Sequence, residues 1–211
     1  MQIYLVRHGR QSSPLCNVNV DLAPEGVEQA KRLAKRLTRL ETIDAVYASA
    51  LLRAEQTAEI LADGLGLSAD TGHAELNEID FGELTGHSDA EIAELYGDFM
   101  KQRAAMTEDI PFPGGECGKE VWERAYPFLQ KLVKSGAERV VVVTHGGVIR
   151  SLVAGILKME QKHKLKIVKS LENTSITELK YNQASDEFTV ERINDYAHLE
   201  ETPHLLRKYF H

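Results

Sequence analysis

The sequence predicts an α/β protein of three layers (α/β/α), with helices on both faces of a mostly parallel central sheet. Three observations carry that expectation. Short apolar, β-prone runs alternate with longer segments of helical periodicity. The run "RVVVVTH" (139–145) is almost continuous valine, as in a strand buried on both faces. The chain has 211 residues, enough to bury a sizeable core within one domain.

Residues 2–6 read as the first strand, with Ile3, Leu5 and Val6 as candidate core. Pro24 opens a helix at a favoured first-turn position. Val27, Ala30, Leu33, Ala34 and Leu37 then recur at helical spacing. "DAVYAS" (44–49) is a short second strand, and "LLRAEQTAEILADGLG" (51–66) a second helix ended by Gly64 or Gly66. Residues 73–87 read as irregular and glycine-punctuated. "SDAEIAELYGDFMKQRAA" (88–105) reads as one helix, with Ser88 as N-cap and Glu91 completing a capping box. "DIPFPGGEC" (109–117) is a loop by composition. Residues 118–136 form an amphipathic helix with a kink expected near Pro127, and a helix follows "RVVVVTH". "NTSITELKY" (173–181) and "FTVERIND" (188–195) are later strands, and the tail from Tyr196 has no clear assignment. The whole reads as one domain over 1–211, with a covering insertion at 86–116.

Acidic residues outnumber basic ones, 32 to 25, for a formal charge of −7. That balance argues against nucleic acid and anionic membranes as partners, although a few arginines can still form a local anion pocket. The two cysteines, Cys16 and Cys117, form no CxxC pair and no disulfide framework. No apolar run is long enough to cross a bilayer, and the chain enters a strand at once. A cytoplasmic protein in a reducing compartment is the expectation.

Two strand ends look alike: "YLVRHG" and "VVVTHGG". In an open α/β sheet, ligands bind beyond the carboxyl ends of the strands. His8 and His145 would both stand on that edge, close together if their strands are neighbours. The glycines behind them would let backbone N–H groups approach a ligand. A helix beginning at Gly146 would turn its N-terminus to the same place and favour an anion. Arg53, in the first turn after "DAVYAS", falls on the same edge. Arg7, His8, Arg53 and His145 would thus converge. Forked arginine donors match phosphate, and histidines beside them suggest phosphoryl chemistry. Each residue alone is commonly structural or a solvated charge; four at equivalent positions in one sheet is a rarer coincidence. "THGGVIR" has neither a P-loop lysine pattern nor GxGxxG, which sets a nucleotide-binding domain aside.

Five blocks in order, "LVRHGR", "ASALLRAEQTAEIL", "ELNEIDFGELTG", "PGGE" and "VVVTHGGVIR", resemble the histidine phosphatase superfamily, also called the phosphoglycerate mutase-like family. "LENTSITELKY" is similar to its late strand. The resemblance implies the phosphoglycerate mutase-like fold and assigns roles. His8 would attack phosphorus and become a phosphohistidine. It must then be neutral, with its other ring nitrogen held as a donor, for which a backbone carbonyl is suited. Arg7, Arg53 and His145 would hold the phosphoryl oxygens, with Gly146 and Asn17 as further binding candidates. Glu78 would protonate the leaving group; a carboxyl beside phosphate anions keeps its proton more readily, which suits an acid. Residue chemistry alone leaves Glu75, Asp80 and Glu83 as competitors. The implied mechanism needs no cofactor, and no His/Cys/Asp cluster has metal-ligand spacing.

The chain departs from the family in places. Arg10 and Gln11 follow the Arg-His-Gly triplet where relatives carry Glu or Gln and then Ser or Thr. Pro14 stands near the usual Asn, and Asn17 is displaced from it. Cys117 takes the place of a Ser after "PGGE". Between the acidic block and "PGGE" the only cations are Lys101 and Arg103, so the region lacks the extended basic stretch of the mutases. The expectation is hydrolysis of a small phosphate monoester. Mutase-type transfer is the alternative, and a catalytically silent phosphate-binding module a further one.

Overall fold

The computed structural model describes residues 1–40 and 42–207; the last part of the expected domain, 208–211, lies outside the described residues. Six strands form one sheet: β1 (Gln2–Arg7), β2 (Ala45–Ser49), β3 (Ala69–His73), β4 (Arg139–Thr144), β5 (Ile176–Asn182) and β6 (Glu187–Asp195). Their order is β3-β2-β4-β1-β5-β6. The first four run parallel, whereas β5 is antiparallel to both β1 and β6, so the sheet is mostly parallel as expected.

Period-two alternation along the central strands divides the core in two. Ile3 and Leu5 of β1, with Val140 and Val142 of β4, face α5 (Gly118–Leu132) and α6 (Gly146–Ile156). Tyr4, Val6, Val141 and Val143 face α1 (Pro24–Leu40) and α2 (Leu52–Leu65). Burial on both faces is why the valines of β4 run unbroken.

Several boundaries differ from expectation. β3 carries the polar sequence ADTGH and was hidden in its propensities; it is an edge strand with alternating exposure. The segment 88–105 is two helices, α3 (Asp89–Leu95) and α4 (Gly97–Ala104). The capping box at Ser88 and Glu91 is present, but Tyr96 leaves helical geometry at φ −122° before the poor helix former Gly97. Neither helix buries a residue fully. α5 continues through Pro127 but stops at Leu132, whose carbonyl accepts from the Ser135 N–H at 2.9 Å and its hydroxyl at 2.7 Å. α2 ends at Gly66 in the left-handed region, φ 71°. Gly64 lies inside that helix, where a Cβ would fall 2.8 Å from that of Ala34 on α1. β5 starts only at Ile176, because residues 172–175 form a buried polar turn. The unassigned tail folds back in two short 3₁₀ turns, with Leu199 and Leu205 buried beside α1. Among the described residues no helix is long and apolar enough to cross a membrane.

Candidate active site

β1 and β4 are parallel neighbours, and Arg7 pairs with Thr144. His8 and His145 are each the next residue, so both strands deliver a histidine to the same edge. Their ring centroids are 5.0 Å apart. β2 lies beside β4 and ends at Ser49, three residues before α2 starts. That short turn brings Arg53 to the same edge, where its Nε donates to His8 Nε2 at 3.3 Å.

The His8 ring is oriented by backbone. Nδ1 lies 2.7 Å from the Gly9 carbonyl, which can only accept. The proton therefore sits on Nδ1, and the lone pair belongs to Nε2. Burial, and then the charges of Arg7 and Arg53, push the His8 pKa well below its usual value, so the ring is neutral at pH 7. The His8 carbonyl accepts from Asn173 Nδ2 at 2.9 Å, which ties the loop to the buried turn before β5.

His145 is fully buried and is pushed down in the same sense, by burial first and then by its charged neighbours. Its Nε2 meets Ser49 Oγ at 2.7 Å, and its Nδ1 has no hydrogen-bond partner. Arg7 donates to the Leu171 carbonyl through one terminal nitrogen, while its buried Nε also has no partner. Leaving a buried polar group unsatisfied costs about 1–3 kcal/mol. Two such groups flanking His8 mark a place able to receive acceptor oxygens.

Arg53 is buried yet well held. It donates to the Val18 carbonyl and to Asn17 Oδ1, both at 2.9 Å. Burial lowers its pKa from the ordinary arginine value, and a guanidinium keeps its proton at neutral pH regardless. Asn17 adopts φ 46° and stands in the site despite its displaced position in the sequence. The rest of the second block is structural. Thr57 Oγ1 accepts from Gly9 N at 3.0 Å, and Gln56 Oε1 from Leu22 N at 2.8 Å.

Of the four candidate acids, Glu78 alone lines the cavity that contains His8. Its Oε1 accepts from the amides of Ile79 and Gly147, each at 2.9 Å. Asp80 accepts from Gly82 N in a turn, Glu83 from the Tyr96 hydroxyl, and Glu75 lies near His73 and Lys131. In the first turn of α6 the Gly147 amide goes to Glu78, and neither Gly146 nor His145 is among the residues that line the cavity. The Gly9 amide is likewise spent on Thr57. What Gly9 provides is close backbone contact, since a Cβ there would lie 2.7 Å from the Gly26 carbonyl oxygen.

The "PGGE" block braces the acidic block. A Cβ on Gly115 would stand 2.3 Å from the Asp80 carbonyl oxygen, so only glycine permits this approach. Glu116 accepts from Asp80 N at 2.9 Å and pairs with Arg124 at 2.7 Å. Arg124 also donates to the carbonyls of Glu75 and Glu78. Cys117 caps α5, its N–H donating to Glu120 at 2.8 Å, and burial raises its thiol pKa. Burial, then Asp89 and Glu78, push the Cys16 thiol up to about 11. Neither cysteine has the lowered pKa of a nucleophile.

The cavity measures about 700 Å³. Arg7, His8, Asn17, Arg53 and Glu78 line it, and Asp89, Ile92, Met100 and Phe112 contribute from the segment 86–116. Among the described residues no group of three or more His, Cys, Asp or Glu could hold a metal ion. Ser49, Asn173 and Arg124 were not singled out in the sequence. Ser49 and Asn173 stood within quoted blocks, whereas nothing local distinguishes Arg124.

The family model of the histidine phosphatase superfamily (branch 1) matches residues 3–196. The chain belongs to this superfamily. It is 33% identical over 208 residues to phosphoglycerate mutase-like protein 4 of Arabidopsis thaliana, covering 95% of this chain and 88% of that one. It is 30% identical to a 2,3-bisphosphoglycerate-dependent phosphoglycerate mutase of a Bradyrhizobium species, covering 86% and 97%. Its structure is similar to a mycobacterial glucosyl-3-phosphoglycerate phosphatase in complex with inorganic phosphate, at TM-score 0.81 and 26% identity, covering 93% and 98%. The fold is that of the phosphoglycerate mutase-like proteins.

Proposed function

We propose that this histidine phosphatase superfamily member hydrolyses small phosphate monoesters through a phosphohistidine on His8. The observation that carries the reading is the His8 ring: Nδ1 is held on the Gly9 carbonyl, and a neutral Nε2 stands at an arginine-lined cavity. Nε2 attacks phosphorus as the P–O ester bond breaks. The Nδ1–H bond to Gly9 steadies the positive charge that grows on the ring. Arg7, Arg53 and His145 Nδ1 receive the phosphoryl oxygens, and the Ser49 hydroxyl on Nε2 sets His145 to donate from Nδ1. Glu78 gives its proton to the leaving alkoxide. In the second half, Glu78 takes a proton from water, the water oxygen bonds to phosphorus, and the P–N bond breaks to restore His8. The arginines supply the positive charge, so the reaction runs without a metal ion.

The segment 86–116 supports hydrolysis over transfer. Lys101 pairs with Asp98 on the surface, and Arg103 lies over the Phe112 ring at 3.9 Å, so neither cation lines the cavity. The mutase names of the two sequence relatives favour phosphoglycerate mutase-type transfer as the second reading. The deciding experiment is phosphate release from a panel of monoesters, with His8→Ala as the blank and EDTA added in parallel. Release that needs His8 and ignores EDTA is expected. No release from any ester, or full activity in His8→Ala, refutes the reading. Isomerisation of 3-phosphoglycerate with 2,3-bisphosphoglycerate present, exceeding hydrolysis, would replace it with the mutase.

A further inference from the structure

The lining of the cavity includes a cation beyond the two arginines assigned to the phosphoryl group. Arg207, from the end of the described tail, lines the same cavity as His8. Its charge is felt at the histidine, since it is among the groups that lower the His8 pKa. Arg7 and Arg53 already serve the phosphoryl group, and 700 Å³ is far more space than that group fills.

The tail is seated, not draped. Arg10 donates from one terminal nitrogen to the carbonyls of Leu205 and Leu206, at 3.0 and 3.1 Å. Gln29, fully buried, donates to the Leu205 carbonyl at 2.7 Å and accepts from Arg10 N at 2.9 Å. The Leu205 side chain is fully buried. The Arg207 N–H donates to Glu172 Oε2 at 3.1 Å. The backbone on both sides of Leu206 is therefore fixed, and the residue that follows is delivered to the cavity. Arg10 is the residue at which this chain leaves the family pattern after Arg-His-Gly. Its guanidinium binds tail carbonyls and, at 3.9 Å, approaches Glu25.

We propose that Arg207 is a specificity residue that binds a second anionic group on the phosphorylated substrate, and that Arg10 is a positioning residue that holds the tail presenting it. The substrate is then a phosphate monoester with a carboxylate or a second phosphoryl group, not a neutral alcohol ester. Gln11, Ser12 and Ser13 line the same cavity. The inference rests on the phosphatase reading only for the position of the phosphoryl group.

The test pairs substrates that differ in one group: 3-phosphoglycerate against glycerol 3-phosphate for a carboxylate, and fructose 1,6-bisphosphate against fructose 6-phosphate for a phosphoryl. The parent should favour the doubly anionic member of one pair by about tenfold in kcat/KM, the scale of one charge-assisted contact. Arg207→Ala should erase that preference, and Arg207→Lys should keep part of it. In the Arg207→Ala background, Arg10→Met should change the preference no further, because it acts through the tail. Which pair shows the preference identifies the anion. Calorimetric binding of the same ligands to His8→Ala, with and without Arg207→Ala, reads the discrimination without turnover. Binding discrimination that depends on Arg207 supports the proposal even if hydrolysis fails. Equal loss on both members of each pair, or no discrimination in either readout, overturns it.

Discussion

Gly147→Ala isolates the role of Glu78 without touching its chemistry. An added Cβ would lie 2.4 Å from Glu78 Oε1 and 2.8 Å from Ile79 Cγ2. Ordinary contact begins near 3.5 Å, so the carboxylate must retreat by roughly 1 Å. The bond from the Gly147 amide then lengthens or breaks. Overpacking of this kind costs about 1–3 kcal/mol, while replacing glycine inside a helix returns up to ~1 kcal/mol, so the protein should still fold. A displacement of ~1 Å can cost about 100-fold in catalysis when the group must meet a proton acceptor. The assay is the ratio of kcat/KM for an alkyl phosphate, which needs a protonated leaving group, to that for p-nitrophenyl phosphate, which needs little. The ratio should fall by one to two orders of magnitude, on the scale of ~10²-fold for a general acid. Equal losses on both esters, with Tm unchanged, would refute the assignment of Glu78 as the acid.

Three further outcomes follow from the same geometry. His8 and His145 have pKa values lowered by burial, and His198 is lowered to about 4. The unfolded chain takes up these protons first, so their stabilisation is complete above pH ~6.5 and is lost as pH falls towards the folded values, at up to ~1.4 kcal/mol per pH unit for each group. Urea titrations between pH 7 and 5 should show falling stability, and a flat profile would contradict the neutral buried pair. Vanadate and phosphate should inhibit competitively, since both fit the pocket of Arg7, Arg53 and His145; indifference to vanadate would count against that pocket. Ser49→Ala should lower kcat by about tenfold with little change in KM, the effect of losing one buried hydrogen bond that orients His145.

The parts of the site carried by strand ends were legible in the sequence. Two buried strands that both stop at His-Gly can be placed side by side, and the Arg7–Thr144 register bears out the adjacency. Arg53 was equally legible, because a strand, a short turn and a helix leave little freedom. What could not be read were bonds made across the fold. Asn173 reaches His8 from 165 residues away, and Arg124 reaches the Glu78 carbonyl from 46. The helix start at Gly146 was read as facing an anion, yet the Gly147 amide in its first turn serves Glu78. β3 escaped notice because an edge strand needs only alternate burial, which ADTGH supplies without β-branched residues apart from Thr71. The break at Tyr96 escaped because a capping box predicts where a helix starts and says nothing of its end.

The central claim is that His8 Nε2 carries the phosphoryl group. Rapid acid-free quenching during turnover of a reactive monoester, followed by mass spectrometry of the peptide holding residues 3–11, tests it most directly. The account predicts a phosphorylated His8 that is lost on acid treatment, lost in His8→Ala, and longer-lived in Glu78→Gln, which deprives the attacking water of its base. Turnover at full rate with no phosphohistidine on this peptide, even in Glu78→Gln, would contradict it.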